Sequence, residues 1–263
     1  MRLKKWIIKR ESRLAIQEQH IGQAIGLFVI VLALLFWEAA VWLAETPVYL
    51  LPSPSTILRT LVKNLDTLLL AGSITLAEAL TGLLLGSGVG LALAILINFW
   101  VKLEQGVMSL AILVKSTPII AIAPILTIWM GFGPAPKVVI TALLTFFPML
   151  INALSGFRAT DKAILDLMHS LDATAWEIFI HARWPSARPY LFAGLKVVTP
   201  LSMIGAVVAE WMGASSGLGR QMWLAYSNLN MPSLFAAVFV LTVLSTTLYQ
   251  GVLWLEKKWL FWE

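Results

Sequence analysis

A chain of 263 residues that is 59% hydrophobic and only 13% charged, with a mean hydropathy of +0.84, carries more apolar surface than a soluble domain of that length can bury, so it belongs in a membrane. The formal charge of +5 comes with no basic face of interleaved aromatics, which sets nucleic-acid binding aside. The absence of cysteine removes disulfides, thiolate metal sites and thiol catalysis together.

Residues 1–20 read as a basic tail, with Arg2, Lys4, Lys5, Lys9, Arg10 and Arg13. The apolar run at 25–43, inside a first membrane helix set at 21–45, exceeds the ~7 to 15 residues of a secretory leader, and further runs follow, so it is a retained anchor. Those runs lie at 76–100, 107–130, 138–154, 190–212 and 234–255. Each reaches the ~17 to 25 residues a helix needs to cross hydrocarbon. The expected fold is all-α and polytopic, with six transmembrane helices, five of them in a core at 73–256. Thirteen lysines and arginines fall on one side of that topology: the six of the tail, Lys102, Arg158, Lys162, Arg183, Arg188, Lys257 and Lys258. Four fall on the other: Arg59, Lys63, Lys137 and Arg220. The positive-inside bias makes the richer side cytoplasmic, so both termini lie there, including a short tail at 257–263.

Outside the first helix, at 46–72, Ile57, Leu58, Leu61, Val62 and Leu65 make an apolar stripe at helical spacing, with Arg59 and Lys63 off it. This predicts an interfacial amphipathic helix, with Ser53 as N-cap and Pro54 in the first turn. In the second span Gly82, Gly86 and Gly90 recur every four residues, beside Gly88, leaving one face nearly bare for close helix packing, within the subunit ahead of across a subunit interface. Lys115, Ser116, Thr117 and Pro118, and then Pro124, interrupt the third span, where freed carbonyls need neighbours or a water-lined cavity. A kink that shapes the bundle and a gate are both open readings there. Glu38, Glu78, Lys196 and Glu210 fall in or near spans, with Lys115 close to an end; charges in hydrocarbon are costly, so all should face protein or water. Lys196 is placed to snorkel towards the interface. After Glu210 and Trp211, the run from Gly213 to Gly219 reads as a flexible outer elbow, with Glu210 open as a structural partner or a pathway residue. Of twelve tryptophans, Trp37, Trp42, Trp100, Trp129, Trp211, Trp254, Trp259 and Trp262 sit at span ends as an interfacial belt.

Between the fourth and fifth spans, in a loop at 157–188, lies the polar stretch DLMHSLDATAWEIFIHARWP at 166–185. It predicts a helix to about Leu171, a turn at Asp172 and Ala173, and a second short helix under a capping box of Thr174 and Glu177, which Pro185 stops. A reciprocal cap satisfies the exposed donors without water, so this elbow is stiff, and a stiff polar elbow between two spans serves as a docking site.

No phosphate-binding Gly-x-x-x-x-Gly-Lys-Ser/Thr loop occurs, so the energy for any pumping comes from elsewhere. His20, His169 and His181 are the only histidines and are not spaced as a metal site; no Gly-x-Ser-x-Gly elbow is paired with a buried base. The chain is read as no enzyme, with no catalytic residue and no cofactor or metal of its own.

The elbow resembles the cytoplasmic loop of the inner-membrane permeases of binding-protein-dependent ABC importers, in which a Glu-Ala-Ala run, a glycine and a proline recur at fixed spacing. Those places hold Asp166, Leu167, Met168, Asp172 and Pro185 here, and aspartate is tolerated in the left-handed turn the glycine makes. Three further phrases, Leu51-Pro52-Ser53-Pro54, TPIIAIAPILTIWMGFG at 117–133 and EWMGASSGLG at 210–219, resemble the sulfonate, taurine, nitrate and pyrimidine-precursor group of those permeases, so the likeness spans about 50–219. It implies a type I ABC importer permease-like fold with a cytoplasmic coupling helix between helices 4 and 5, in the bacterial inner membrane. It also implies a permease homodimer surrounded by lipid, two ABC ATPase subunits holding ATP and Mg, and a periplasmic or lipid-anchored solute-binding protein.

On that reading Asp166, Asp172, Ala173, Thr174, Trp176, Glu177, Phe179 and Pro185 couple to the ATPase, with Trp176 and Phe179 as apolar anchors and Glu177 mainly a cap. Lys115, Thr117, Pro118, Ser202 and Glu210 are the candidate pathway or gate. The likeness points to a small heteroaromatic solute such as a thiamine-precursor pyrimidine, with sulfonates, nitrate or bicarbonate, and riboflavin as competitors. An ion-coupled secondary transporter using Glu78 and Glu210 is the alternative class; it needs no docking elbow and often shows inverted repeats. A membrane scaffold without a solute pathway is the third.

Overall fold

The computed structural model describes residues 25, 26 and 28–260. The basic tail 1–20, the beginning of the first predicted helix, and residues 261–263 with Trp262 lie outside the described residues. Among the described residues there is no strand. The helices in chain order are α1 (Phe28–Leu43), α2 (Pro54–Lys63), α3 (Leu65–Phe99), α4 (Glu104–Ser116), α5 (Ile119–Met130), α6 (Pro134–Arg158), α7 (Lys162–Ser170), α8 (Ala175–Ile178), α9 (Trp184–Trp211), α10 (Leu218–Ser227) and α11 (Met231–Trp259).

Among the described residues four helical segments are long and apolar enough to cross a membrane: Leu65–Phe99, Pro134–Arg158, Ala175–Trp211 and Met231–Trp259. A fifth is present if α4 and α5, bent by 92° at their junction, count as one span. The described part of α1 is shorter. The third predicted span is thus two half-helices, because Pro118 has no amide to continue α4, and Thr117 and Pro118 both take extended backbone. Thr117 Oγ1 donates to the Leu113 carbonyl at 2.9 Å, supplying the neighbour that a freed carbonyl requires. The second span begins at Leu65 rather than near residue 76, so its first turns occupy ground expected for the interfacial helix. At ~1.5 Å per residue its 35 residues reach ~52 Å, well beyond the ~30 Å of hydrocarbon.

The expected interfacial helix is α2. Ser53 caps it through the Thr56 amide, with Pro54 in its first turn. Ile57 and Leu61 of its stripe pack on Leu68, Ala71, Val207, Leu218 and Val240. Glu38 of α1 accepts from the Ser55 amide at 2.9 Å and the Ser55 hydroxyl at 2.7 Å, so a carboxylate from the first helix sits at the positive end of the second.

The core is the contact of α3, α6 and α9. A Cβ on Gly82, Gly86 or Gly90 would lie within 3.0 Å of α6 atoms, backbone included, so these glycines pack inside the subunit as the four-residue spacing predicts; Gly88 faces open space. The pairings Glu78 with Lys137, Gly82 with Thr141, Gly86 with Thr145 and Gly90 with Met149 climb together, so α3 and α6 run parallel. Gly156 meets Ala187, Gly194 meets Asn152 and Gly205 meets Leu144, so α9 runs antiparallel to α6. Lys196 pairs with Glu256 at 2.7 Å, three turns into α9 rather than near its beginning, and Val207 shares a core cluster with Ala236 and Ala237, so α11 runs antiparallel to α9. Because α3 and α6 are parallel, the segment between them, α4 and α5 included, carries the chain back along the bundle. The end that gathers Phe99, Phe157 and Trp184 is called the near end, and the opposite one the far end.

Candidate functional site

The near end carries the polar elbow. Asp161 starts α7 by accepting from the Ala163 amide at 2.8 Å. The helix closes with paired reversed hydrogen bonds, Ala173 N–H to the Met168 carbonyl at 3.0 Å and Asp172 N–H to the His169 carbonyl at 3.1 Å, around Asp172 at φ 53°. This is a Schellman stop with aspartate in the left-handed position that usually takes glycine. The capping box follows. Thr174 Oγ1 accepts from the Glu177 amide at 3.3 Å, while the Thr174 amide and hydroxyl both donate to Glu177 Oε2 at 2.7 Å. Those donors, the backbone amide first, hold the exposed Glu177 carboxyl below the usual carboxylate range.

Pro185 does not stop the second helix. Ala175–Trp211 is one helical segment of 37 residues, in which a five-residue π turn, Phe179–Arg183, precedes α9 and Pro185 lies in the first turn of α9. A proline stops a helix through its missing amide and its clash with the preceding turn; a π turn is wider, and the chain passes through. At ~55 Å this rod outruns the ~30 Å hydrocarbon, and its capped beginning, Glu177 included, is exposed.

Phe179, expected on the docking face, is only 6% exposed. It is enclosed by Phe99 at 5.2 Å, Phe157 at 5.4 Å, Trp176 at 5.8 Å and Trp184 at 6.0 Å between ring centroids. Trp176 stacks on Phe99 at 6.0 Å and 26°, yet 58% of it stays exposed. The Arg183 guanidinium donates to the Asn98 side-chain oxygen, tying the elbow to the end of α3. Asp166, Asp172 and Thr174 are exposed, and Ala173 and Pro185 half-buried. A stripe that the sequence reading missed joins them: Ile164, Leu167 and Leu171, at i, i+3 and i+7, are exposed, as are Trp176 and Ile180. Helical spacing of apolar residues on α7, a helix outside the predicted spans, was the signal.

Towards the far end lies a polar interior. Lys137, assigned by sequence to an outer loop, is instead buried in α6 and pairs with Glu78 at 2.8 Å, with side chains 6% and 5% exposed. Among the described residues the second carboxylate oxygen of Glu78 accepts no hydrogen bond, and the Glu78 and Glu210 side chains lie close enough to interact. Glu210 is fully buried; Thr75 Oγ1 donates to it at 2.7 Å and the Gly219 amide at 2.5 Å. The Leu218 amide donates to Thr75 Oγ1 at 2.8 Å. The expected flexible elbow after Glu210 is therefore tied down. Each charge anticipated in a span has found a neighbour, and Lys115 holds its ammonium 4.5 Å from the Phe147 ring centroid. Phe147 is halfway along α6, so Lys115, Thr117 and Pro118 form an elbow at mid-depth rather than near a span end. Ser202 is buried in α9 and donates to the Thr199 carbonyl at 2.8 Å. Among the described residues no hydrogen bond joins Ser202 or Glu210 to that elbow.

Several bilayer-length helices, a half-helix break at mid-depth and a doubly capped elbow beyond one end define a multi-pass membrane protein of the permease type. The family of binding-protein-dependent transport system inner membrane components matches residues 82–260. The chain is similar to a probable ABC transporter permease protein of Haemophilus influenzae, 32% identical over 235 residues (89% of this chain, 96% of the relative). It is also similar to the formylaminopyrimidine transport permease ThiX of Halalkalibacterium halodurans, 33% over 231 residues (88% and 92%). The riboflavin transport system permease RibX of Chloroflexus aurantiacus is 32% identical over 243 residues (91% and 91%). The chain belongs to this family and is a permease subunit of an ABC importer.

Proposed function

We propose that the elbow at 162–183 is the coupling element through which a separate ATPase drives this permease, and that the near end is cytoplasmic. The observation that carries the reading is an apolar face on a polar, twice-capped elbow: Leu167, Leu171 and Trp176 are exposed on a segment continuous with a 37-residue rod. Apolar residues at aqueous positions mark partner surfaces, and Trp176 supplies the aromatic anchor that such interfaces favour. Thr174, Glu177 and Asp172 hold its shape, Asp166 stands exposed on α7, Phe179 roots it in the bundle, and Pro185 passes its displacement to α9. The parallel run of α3 and α6 supports counting α4 and α5 as one broken span, which with α1 makes six and puts both termini with the elbow. A homodimer, two ATPase subunits carrying ATP and Mg, and a solute-binding protein at the far end complete the machine in the bacterial inner membrane.

Lys115, Thr117 and Pro118 are the pathway residues this reading favours, because a lysine at mid-depth must face protein or water and broken helices form transport sites there. Ser202 and Glu210 lie in the wall. The solute is a small flat nitrogen heterocycle, a pyrimidine precursor of thiamine first; two relatives named for formylaminopyrimidine and riboflavin, at 33% and 32% identity, support that chemistry ahead of a relative named for aliphatic sulfonates at 28%. Ala175→Cys in this cysteine-free chain, cross-linked to a cysteine in the cleft of its ATPase, tests the coupling reading. A cross-link that forms only in the assembled complex is expected; none in an assembled, transporting complex overturns it. Titrating the cognate binding protein with formylaminopyrimidine, riboflavin and taurine tests the solute class.

A further inference from the structure

At the far end of the same rod, the Glu210 carboxylate sits where nothing in the coupling reading requires it. Its two oxygens reach two different elements: Thr75 Oγ1 of α3 at 2.7 Å and the Gly219 amide, in the first turn of α10, at 2.5 Å. Thr75 closes the ring by accepting from the Leu218 amide at 2.8 Å. A carboxylate borrowed from α9 thereby caps α10, and α3 holds both. The backbone is shaped around it. Gly217 enters α10 at φ +105°, and a Cβ there or at Gly219 would overlap the Glu210 side chain within 3.0 Å. Glu210 and Thr75 are both 0% exposed. Beyond this clasp α10 turns Trp223, Tyr226 and Ser227 outwards.

The rod is one helix from Ala175 to Trp211, with the coupling elbow at one end and the clasp at the other. We propose that Glu210 and Thr75 are positioning residues that make α10 move with α9, so that the surface at the far end, where a solute-binding protein docks, is mechanically joined to the ATPase elbow. This rests on the coupling reading. Linkage between two such sites is reciprocal: a state of the ATPase pair that displaces the elbow must alter α10, and a protein seated on α10 must bias the ATPase pair.

The test uses the full permease–ATPase complex in lipid nanodiscs, with one cysteine placed at Ser227 or, separately, at Ala175. Maleimide labelling rates are compared without nucleotide and after trapping the ATPase with ADP and vanadate. Trapping is expected to change the rate at both positions by about fivefold or more, the lower end of usual coupling strengths. Thr75→Val, which keeps shape and removes the bridging hydroxyl, is expected to abolish the change at 227 and leave that at 175. Thr75→Ser, which keeps the hydroxyl, restores it, and Glu210→Gln breaks the clasp independently should the valine variant fail to assemble. A response at 227 that survives both Thr75→Val and Glu210→Gln overturns the relay, as does no response at 227 in the unsubstituted clasp. No response at 175 sinks the coupling reading first, and the relay with it.

Discussion

Replacing Lys137 by methionine leaves Glu78 without its cation in the far-end interior, and the size of the effect follows from the geometry. The two charges lie 2.8 Å apart with side chains 6% and 5% exposed. At an effective dielectric of about 20 their attraction is about 6 kcal/mol, and removing two ions from water costs several kcal/mol each, so the pair as a whole contributes little net stability. Breaking it differs from never having it: one stranded buried charge costs about 3 to 5 kcal/mol. Lys137→Met is therefore expected to lose about 3 to 5 kcal/mol, and Glu78→Met with Lys137→Met to return within about 1 kcal/mol of the parent. Denaturant titration in detergent micelles, followed by the fluorescence of the twelve tryptophans, measures both. A single variant as stable as the parent, or a double variant whose loss is the sum of the singles, refutes the reasoning.

Gly86→Leu pushes a side chain into the Ala142 backbone and is expected to cost about 3 kcal/mol or more, whereas Gly88→Leu, in open space, is tolerated; the same titration separates them. Trp176→Ala removes an exposed anchor and is expected to weaken ATPase binding by about 2 kcal/mol, about 30-fold, with the permease itself destabilised by less than about 1 kcal/mol; affinity in nanodiscs and the melting curve report the two. Lys115→Gln removes the cation that leans on Phe147, and if a flat heterocycle takes the place of that ring in transit, uptake falls by about two- to thirtyfold while ATPase binding is unchanged.

The features legible in the sequence are those whose physics is local. The Thr174 and Glu177 cap spans three residues, the Asp172 bend depends on the conformational tolerance of one, and the glycines of α3 declare a bare helical face by their spacing alone. Features decided by partners far along the chain were hidden. Phe179 looked like an exposed anchor because Phe99, eighty residues earlier, does not announce that it will stack there; Lys137 looked like a loop cation until Glu78 claimed it. Thr75 drew no attention at all, since a threonine in an apolar helix gives no sign that a carboxylate 135 positions away will bind it. Pro185 misled for a different reason. The rule that proline ends a helix assumes ordinary α geometry in the turn before it, and a π turn there is a tertiary adjustment around the buried aromatics. The apolar stripe of α7 was readable by periodicity, but its weight depends on knowing that the helix stands clear of the bilayer.

Uptake by purified components decides the matter most directly. The permease is placed in proteoliposomes with or without its ATPase, its binding protein and ATP, and accumulation of labelled formylaminopyrimidine and riboflavin is followed. Accumulation of one of these solutes only when permease, ATPase, binding protein and ATP are all present is the predicted result. Accumulation by the permease alone under an ion gradient contradicts it.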